Sequence, residues 1–367
     1  MKLLPCARKW LLYTAEQWPA LSSTNLVQPM TSIVPQPAWL LFTLLMIGRA
    51  GYSTARVTEG PANGRLLPVI LNSDSAIGEI VFQRSDGEGN VEIFTVAADG
   101  SSLRRLTTSP GFDGEPRWSP DGQRIVFTSD RDATPRQRAS RDAAGLELYV
   151  MNADGTEVRR LTTNDHYDAS PAWSPDGRRI ALVATPGVRA DSAPAGWAAQ
   201  RQIHVMNVDG TGLQRLTASP GGNDYPAWSP EGRFIAFSSG RDGAGGAQIY
   251  LMNADGSDQM RLTYSAAEET YPVWSVDGRQ IAFSKGRDSL SDVHVMEADG
   301  SYARQITRSA GFDGFPAWSS DGKMLVYARH LEPGAAPSLH VLDVAGAQPP
   351  RPIGVEGTRP SWRPGSR

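Results

Sequence analysis

Acidic and amide side chains recur at a fixed distance from tryptophan. Asp113, Asp168, Asn223, Glu269 and Asp313 each stand five residues before Trp118, Trp173, Trp228, Trp274 and Trp318, and Glu356 lies one residue off that register before Trp362. Carboxylates gathered in one place raise one another's pKa unless a cation or a basic group neutralises them. A ring of them would draw a basic partner or hold a divalent cation. The local alternative is capping, because Asp or Asn just ahead of a pre-proline residue can bond the loop backbone. The two roles can coexist.

Other chemistry is sparse. Of five histidines, His204, His294 and His340 take the third-strand place held elsewhere by Phe94, Tyr149 and Tyr250, which suits a half-buried aromatic. His166 and His330 lie in loops of different repeats, with no second His and no Cys at metal-ligand spacing. No G-x-S-x-G elbow occurs, so nucleophilic catalysis has no candidate. Asp-Gly pairs such as Asp121-Gly122, Asp154-Gly155, Asp176-Gly177 and Asp255-Gly256 lack the oxygen ladder of a calcium loop and fit tight hairpin turns. No catalytic residue, no metal site and no cofactor is expected.

The elements that must position these residues follow from repetition. EPRWSPDGQRIVF at 115, SPAWSPDGRRIAL at 170, YPAWSPEGRFIAF at 225, YPVWSVDGRQIAF at 271 and FPAWSSDGKMLVY at 315 align without a gap, and the tryptophans are spaced by 55, 55, 46, 44 and 44 residues. A period of this size means a solenoid or a propeller. Each unit reads as a strand ending in Trp, an Asp-Gly or Glu-Gly turn, an apolar strand, a third strand of the LYVMNADG type and a short RRLT-type strand. Four antiparallel strands make one propeller blade. The segments IVFQ at 80, EIFTVAADG at 92 and LRRLT at 103 supply strands two to four without a first, and RPSWRPG at the other end supplies a first strand alone. The expected fold is an all-β, six-bladed β-propeller, closed when the carboxy-terminal strand joins the three amino-terminal ones.

The P-x-W-S-P-D-G-x-x-I-A-F unit, followed by I-Y-x-M-N-A-D-G and R-L-T, resembles the WD40-like repeat of TolB-like propellers, also found in relatives of prolyl oligopeptidase; it covers residues 79–363. TolB proper carries an α/β domain ahead of its propeller, which the 76 residues here are not expected to supply. The α/β-hydrolase domain of the peptidases is likewise not expected.

Composition narrows the function classes. A net charge of −3 gives no basic excess for nucleic acid, and the single cysteine, Cys6, rules out a disulfide framework in the body of the chain. Ala38 to Gly48 is an apolar run of 11 residues, too short to span a bilayer of about 30 Å, and Ser53 with Ala55 gives the small-x-small pattern of a signal peptidase site. Residues 1–55 read as a signal peptide region with an alternative start at Met30, residues 56–76 as a linker, and residues 77–367 as the propeller. The mature chain is expected to be a monomer, periplasmic or otherwise extracytoplasmic, with no membrane span.

Two insertions, 129–145 and 184–200, add about ten residues each between strands two and three of adjacent repeats, on the face of the acidic set. The first carries Arg131, Arg136, Arg138 and Arg141; the second carries Trp197, outside the repeat register. Arg and Trp are frequent interface anchors. The expected function is a non-catalytic scaffold that binds a protein or peptide partner through this face, with Asp113, Asp168, Asn223, Glu269, Asp313, Glu356, Arg136, Arg138 and Trp197 at the site. The alternative is a propeller hydrolase or lactonase with a divalent cation at the channel mouth.

Overall fold

A computed structural model describes residues 78–365 apart from 88, 135–144, 165, 186–196, 244–245, 288–289 and 333–334, together with three short strands nearer the amino terminus. Those three, Leu45–Arg49, Tyr52–Val57 and Leu67–Val69, form an antiparallel sheet within a unit spanning Met1–Ser75. Most of the apolar run at 38–48 and of the stretch expected as a linker lies outside the described residues.

The second unit, Ala76–Arg367, is all-β, built from four-stranded antiparallel blades. In the Trp118 sheet, Asp113–Trp118 pairs with Arg124–Ser129, which pairs with Glu147–Asn152, and Arg159–Arg160 completes the blade. The Trp173 and Trp228 sheets repeat this order. The Trp274 and Trp318 repeats share one eight-stranded sheet, joined by a single parallel pairing of Ser291 with Phe312. In the remaining four-stranded sheet Thr358–Trp362 pairs with Glu79–Ser85, setting Trp362 opposite Ile80. The expected pairing of the chain's ends is therefore present.

Turn chemistry explains the hairpins. Gly122, Gly177, Gly232, Gly278 and Gly322 all sit at φ between 65° and 73°, where only glycine is unstrained. The neighbouring aspartates are turn caps: Asp121 accepts from Ser119 Oγ at 2.5 Å and from the Gln123 backbone at 3.0 Å. A second glycine, in the turn after strand three, packs on the preceding repeat; a β-carbon at Gly210 would lie 2.3 Å from the Leu161 carbonyl oxygen, and one at Gly100 2.2 Å from that of Ile353.

Strand alternation places the core between sheets. Ile125 and Phe127 pack with Val81 and Ile93, whereas Val126, between them in sequence, packs with Trp173, Ile180 and Leu182 of the next repeat. The same device joins Val326 and Ala328 to Ile80, Phe82 and Trp362. Period-two patterning thus gives the second strand of a blade two buried faces, as in Arg124–Ser129.

Candidate functional site

Asp113, Asp168, Asn223, Glu269 and Asp313 are each at most 2% exposed, and their partners are mostly nearby loop residues, although Asn223 Nδ2 also donates to Gln202 Oε1 of the preceding repeat at 2.9 Å. Asp113 accepts from Ser129 Oγ at 2.5 Å and Arg131 Nη2 at 2.9 Å; Asp313 takes both Arg329 nitrogens at 2.8 Å. Asn223 accepts from Arg241 at 3.0 Å, Glu269 lies 2.9 Å from Lys285 Nζ, and Asp168 accepts from Asn164 Nδ2 at 2.6 Å. Burial, opposed by these hydrogen bonds, is the main reason the pKa values of Asp113 and Asp168 are raised. Mutual repulsion within the set is not among the leading causes for either residue, so the expectation of coupled carboxylates gives way to locally anchored ones. Glu356 differs: its side chain is 58% exposed, 3.8 Å from Arg84.

Arg136 and Arg138 lie outside the described residues, as does most of 184–200. Trp197 opens a short 3-10 helix, Trp197–Gln200. The third-strand histidines do replace aromatics. Phe283–His294 and Tyr327–His340 have centroids 5.7 Å apart, matching Phe127–Tyr149, and burial lowers the pKa of all three histidines at this place.

A buried carboxylate also recurs at the start of strand three. Glu147 accepts from Arg160 Nη2 at 2.8 Å and Thr162 Oγ1 at 2.5 Å. Burial, reinforced by nearby Asp168, nevertheless pushes its pKa up to about 7. Glu92 repeats the arrangement with Arg105 and Thr107, while Gln202 and Gln248 stand at the same place in later repeats.

Sequence reasoning passed over the third residue before each Trp. Glu115, Ser170, Tyr225, Tyr271, Phe315 and Arg359 all have φ between 50° and 56°, a left-handed backbone that costs non-glycine residues on the order of 1 kcal/mol each. A register shift in each first strand accompanies it. Their side chains converge across sheets. Arg359 Nη1 pairs with Glu115 at 2.9 Å, and its guanidinium lies 5.5, 5.1 and 5.0 Å from the ring centroids of Tyr225, Tyr271 and Phe315. Tyr271 Oη donates to Tyr225 Oη at 3.0 Å, and the Ser170 amide donates to Glu115 at 2.6 Å. The one available signal was variation: this place changes chemistry from repeat to repeat inside an otherwise repeated P-x-W-S motif.

Below this cluster, on the Asp-Gly turn side, a cavity of about 530 Å³ is lined by the repeat prolines and tryptophans, by Arg117 and by Ala172, Ala227, Val273 and Ala317. On the opposite side a smaller cavity of about 270 Å³ is lined by Arg201, Asp224 and Glu268 among others. Asp224, 3.0 Å from Arg201, has its pKa raised to about 6 by burial. Among the described residues, no group of three or more His, Cys, Asp or Glu is placed to hold a metal ion.

Comparison with known proteins finds the TolB beta propeller domain over residues 77–189 and 196–365. The chain is 29% identical over 150 residues, 34% of its length, to the uncharacterized peptidase YuxL of Bacillus subtilis, and 30% identical over 180 residues, 48% of its length, to the TolB homolog of Chlorobium luteolum. These matches span 21% and 35% of the two relatives, so the chain covers about a third or less of each. Among solved structures, TolB from Acinetobacter baumannii superposes with a TM-score of 0.65 at 18% identity, covering 96% of this chain and 89% of that one.

Proposed function

The chain belongs to the TolB β-propeller family, and on that premise we propose that it is a non-catalytic scaffold binding a protein or peptide in the periplasm or cell envelope. The carrying observation is the length of its two insertions, 129–145 and 184–200, which add about ten residues each between strands two and three of adjacent repeats. Glu356, Arg136, Arg138 and Trp197 are the proposed contact residues. Asp113, Asp168, Asn223, Glu269 and Asp313 serve the site by fixing the bases of the loops. The test is capture from a cell-envelope fraction with the full chain. Shortening 184–200 to the length of the later repeats removes Trp197 and is expected to weaken capture about 30-fold. Asp154→Asn, in a turn on the other face, is the control. Equal binding by the folded loop variant overturns the proposal.

We further infer that the eight-stranded sheet comprises two blades, making six in a ring closed by Thr358–Trp362. The Gly100–Ile353 contact, equivalent to Gly210–Leu161, supports this count. Deleting residues 357–367 exposes two strand edges; an unchanged melting temperature without aggregation contradicts closure.

The second reading, a propeller enzyme with a divalent cation at the channel mouth, is favoured by the match to a peptidase. A stoichiometric, tightly held divalent ion in purified protein, together with hydrolase activity, would establish it instead.

A further inference from the structure

The cavity on the Asp-Gly turn side is asymmetric in a way the repeats do not require. The residue just before each tryptophan points its chemistry at this space, and it is Ala172, Ala227, Val273, Ala317 and Ser361 in five repeats but Arg117 in the first. Arg117 forms no ion pair with the described residues; its Nη1 donates to the Pro116 carbonyl at 3.0 Å. The carboxylate that acts on it, Glu115, is already engaged by Arg359 at 2.9 Å, by the Ser170 amide at 2.6 Å and by Thr128 Oγ1 at 3.1 Å. Two guanidinium groups therefore share one carboxylate, leaving an excess positive charge at the inner end of the cavity. Desolvation and the neighbouring Arg359 bring the pKa of Arg117 down to about 10, which leaves it charged at neutral pH. At the rim Arg363 pairs with Glu79 at 2.7 Å and stacks over Trp118, and Asp321, which accepts from Ser319 Oγ at 2.6 Å, leaves one negative charge away from Arg117.

We propose that this cavity is a binding site for a small organic carboxylate with an apolar body, its carboxylate on Arg117 and its body against Ala172, Ala227, Val273 and Ala317. A guanidinium offers a planar fork that matches a carboxylate. The cavity's about 530 Å³ falls within the volume range of small-molecule sites, and its lining combines apolar alanine, valine, proline and tryptophan side chains with polar groups. An inorganic anion would satisfy the charge but leave the apolar wall unused. The site lies on the Asp-Gly turn side and does not depend on the scaffold reading.

Calorimetric titration of the full chain with hexanoate, acetate, hexylammonium and inorganic phosphate tests this. Hexanoate is expected to bind about 10-fold or more tighter than acetate, because four added methylenes leave water; hexylammonium should not bind. Arg117→Ala should weaken hexanoate about 10- to 100-fold, the range for a charged hydrogen bond, with Arg117→Lys between. Because four repeats carry Ala or Val at the equivalent place, Arg117→Ala should fold and melt no lower than the wild type without ligand. The proposal is overturned if hexanoate fails to bind, if it binds Arg117→Ala equally, or if phosphate or hexylammonium matches it. A lower melting temperature for Arg117→Ala would make this residue a strut and overturn it as well.

Discussion

The fifth and the third residues before each tryptophan lie two positions apart on the same strand, yet they do opposite things. The fifth keeps one chemistry around the propeller, an acid or amide, and its buried members bond mainly the loops beside them, as Asp313 does with Arg329, while Asn223 also donates to Gln202 of the preceding repeat. The third changes from Glu115 to Ser170, Tyr225, Tyr271, Phe315 and Arg359, and its members bond one another across sheets. A position whose chemistry repeats serves the repeat; a position whose chemistry varies serves the assembly. In a repeat protein the informative residues are therefore those that break the pattern, and Arg117 is the sharpest case.

Breaking the cross-sheet cluster should have the largest effect. Arg359→Ala leaves Glu115 buried without its ion-pair partner, with only the unpaired Arg117 nearby, and empties the space between three aromatic rings, so a loss of about 3 kcal/mol is expected. Combining it with Glu115→Ala should return part of that loss, because the stranded charge goes too. Denaturant unfolding of the two single variants and the double variant measures the coupling. Additive losses would mean that the cluster is a set of neighbours and not a unit, and the contrast with the fifth position would fail.

A smaller effect is expected at the fifth position. Asp313→Ala removes two charged hydrogen bonds from Arg329, whose side chain is 18% exposed and can turn to water, so about 1–2 kcal/mol is expected. Thermal melts of Asp313→Ala and Asp113→Ala should show similar shifts, since each serves one repeat. A loss at Asp313 equal to that of Arg359→Ala would erase the distinction.

How much of this was legible in the sequence depends on whether the causes were local. The turns at Asp121-Gly122 and its equivalents, the register of Trp118 with Ile125 and the aromatic role of His294 all follow from short-range patterns, and each stands where the spacing put it. The pairing of Trp362 with Ile80 was legible because the missing strand at one end matches the extra strand at the other. The convergence of Arg359 with Glu115, Tyr225 and Tyr271 was not. It depends on a left-handed backbone at residues from distant repeats, which no local spacing reveals. The identity of the partners of the acidic set was not legible either: those of Asp113 and Asn223, Arg131 and Arg241, come from the loops after strand two and sit outside the motif.

Glu147 provides the finest division between repeat-level and assembly-level roles, because the repeats themselves contain its replacement. Gln202 and Gln248 stand at its place and make the corresponding bonds to Thr217 and Thr263. In Glu147 the carboxyl titrates at about 7, above its ordinary value of 4.5, because burial and nearby Asp168 outweigh the pull of Arg160. A carboxyl whose pKa is raised by folding holds its proton more tightly in the native state. Native stability therefore falls as pH rises from 4.5 through 7 and levels off above that window. Glu147→Gln removes this loss while keeping an acceptor for Thr162, and Arg160 keeps Asp132 at 3.6 Å. The variant should match the wild type near pH 4.5 and exceed it by about 1–2 kcal/mol at pH 8, allowing for solvent screening. Melting curves from pH 4.5 to 8 provide the measurement. A constant difference across that range, or a variant less stable at pH 8, would mean that the Arg160 ion pair dominates and that Glu147 is held ionised by its own repeat.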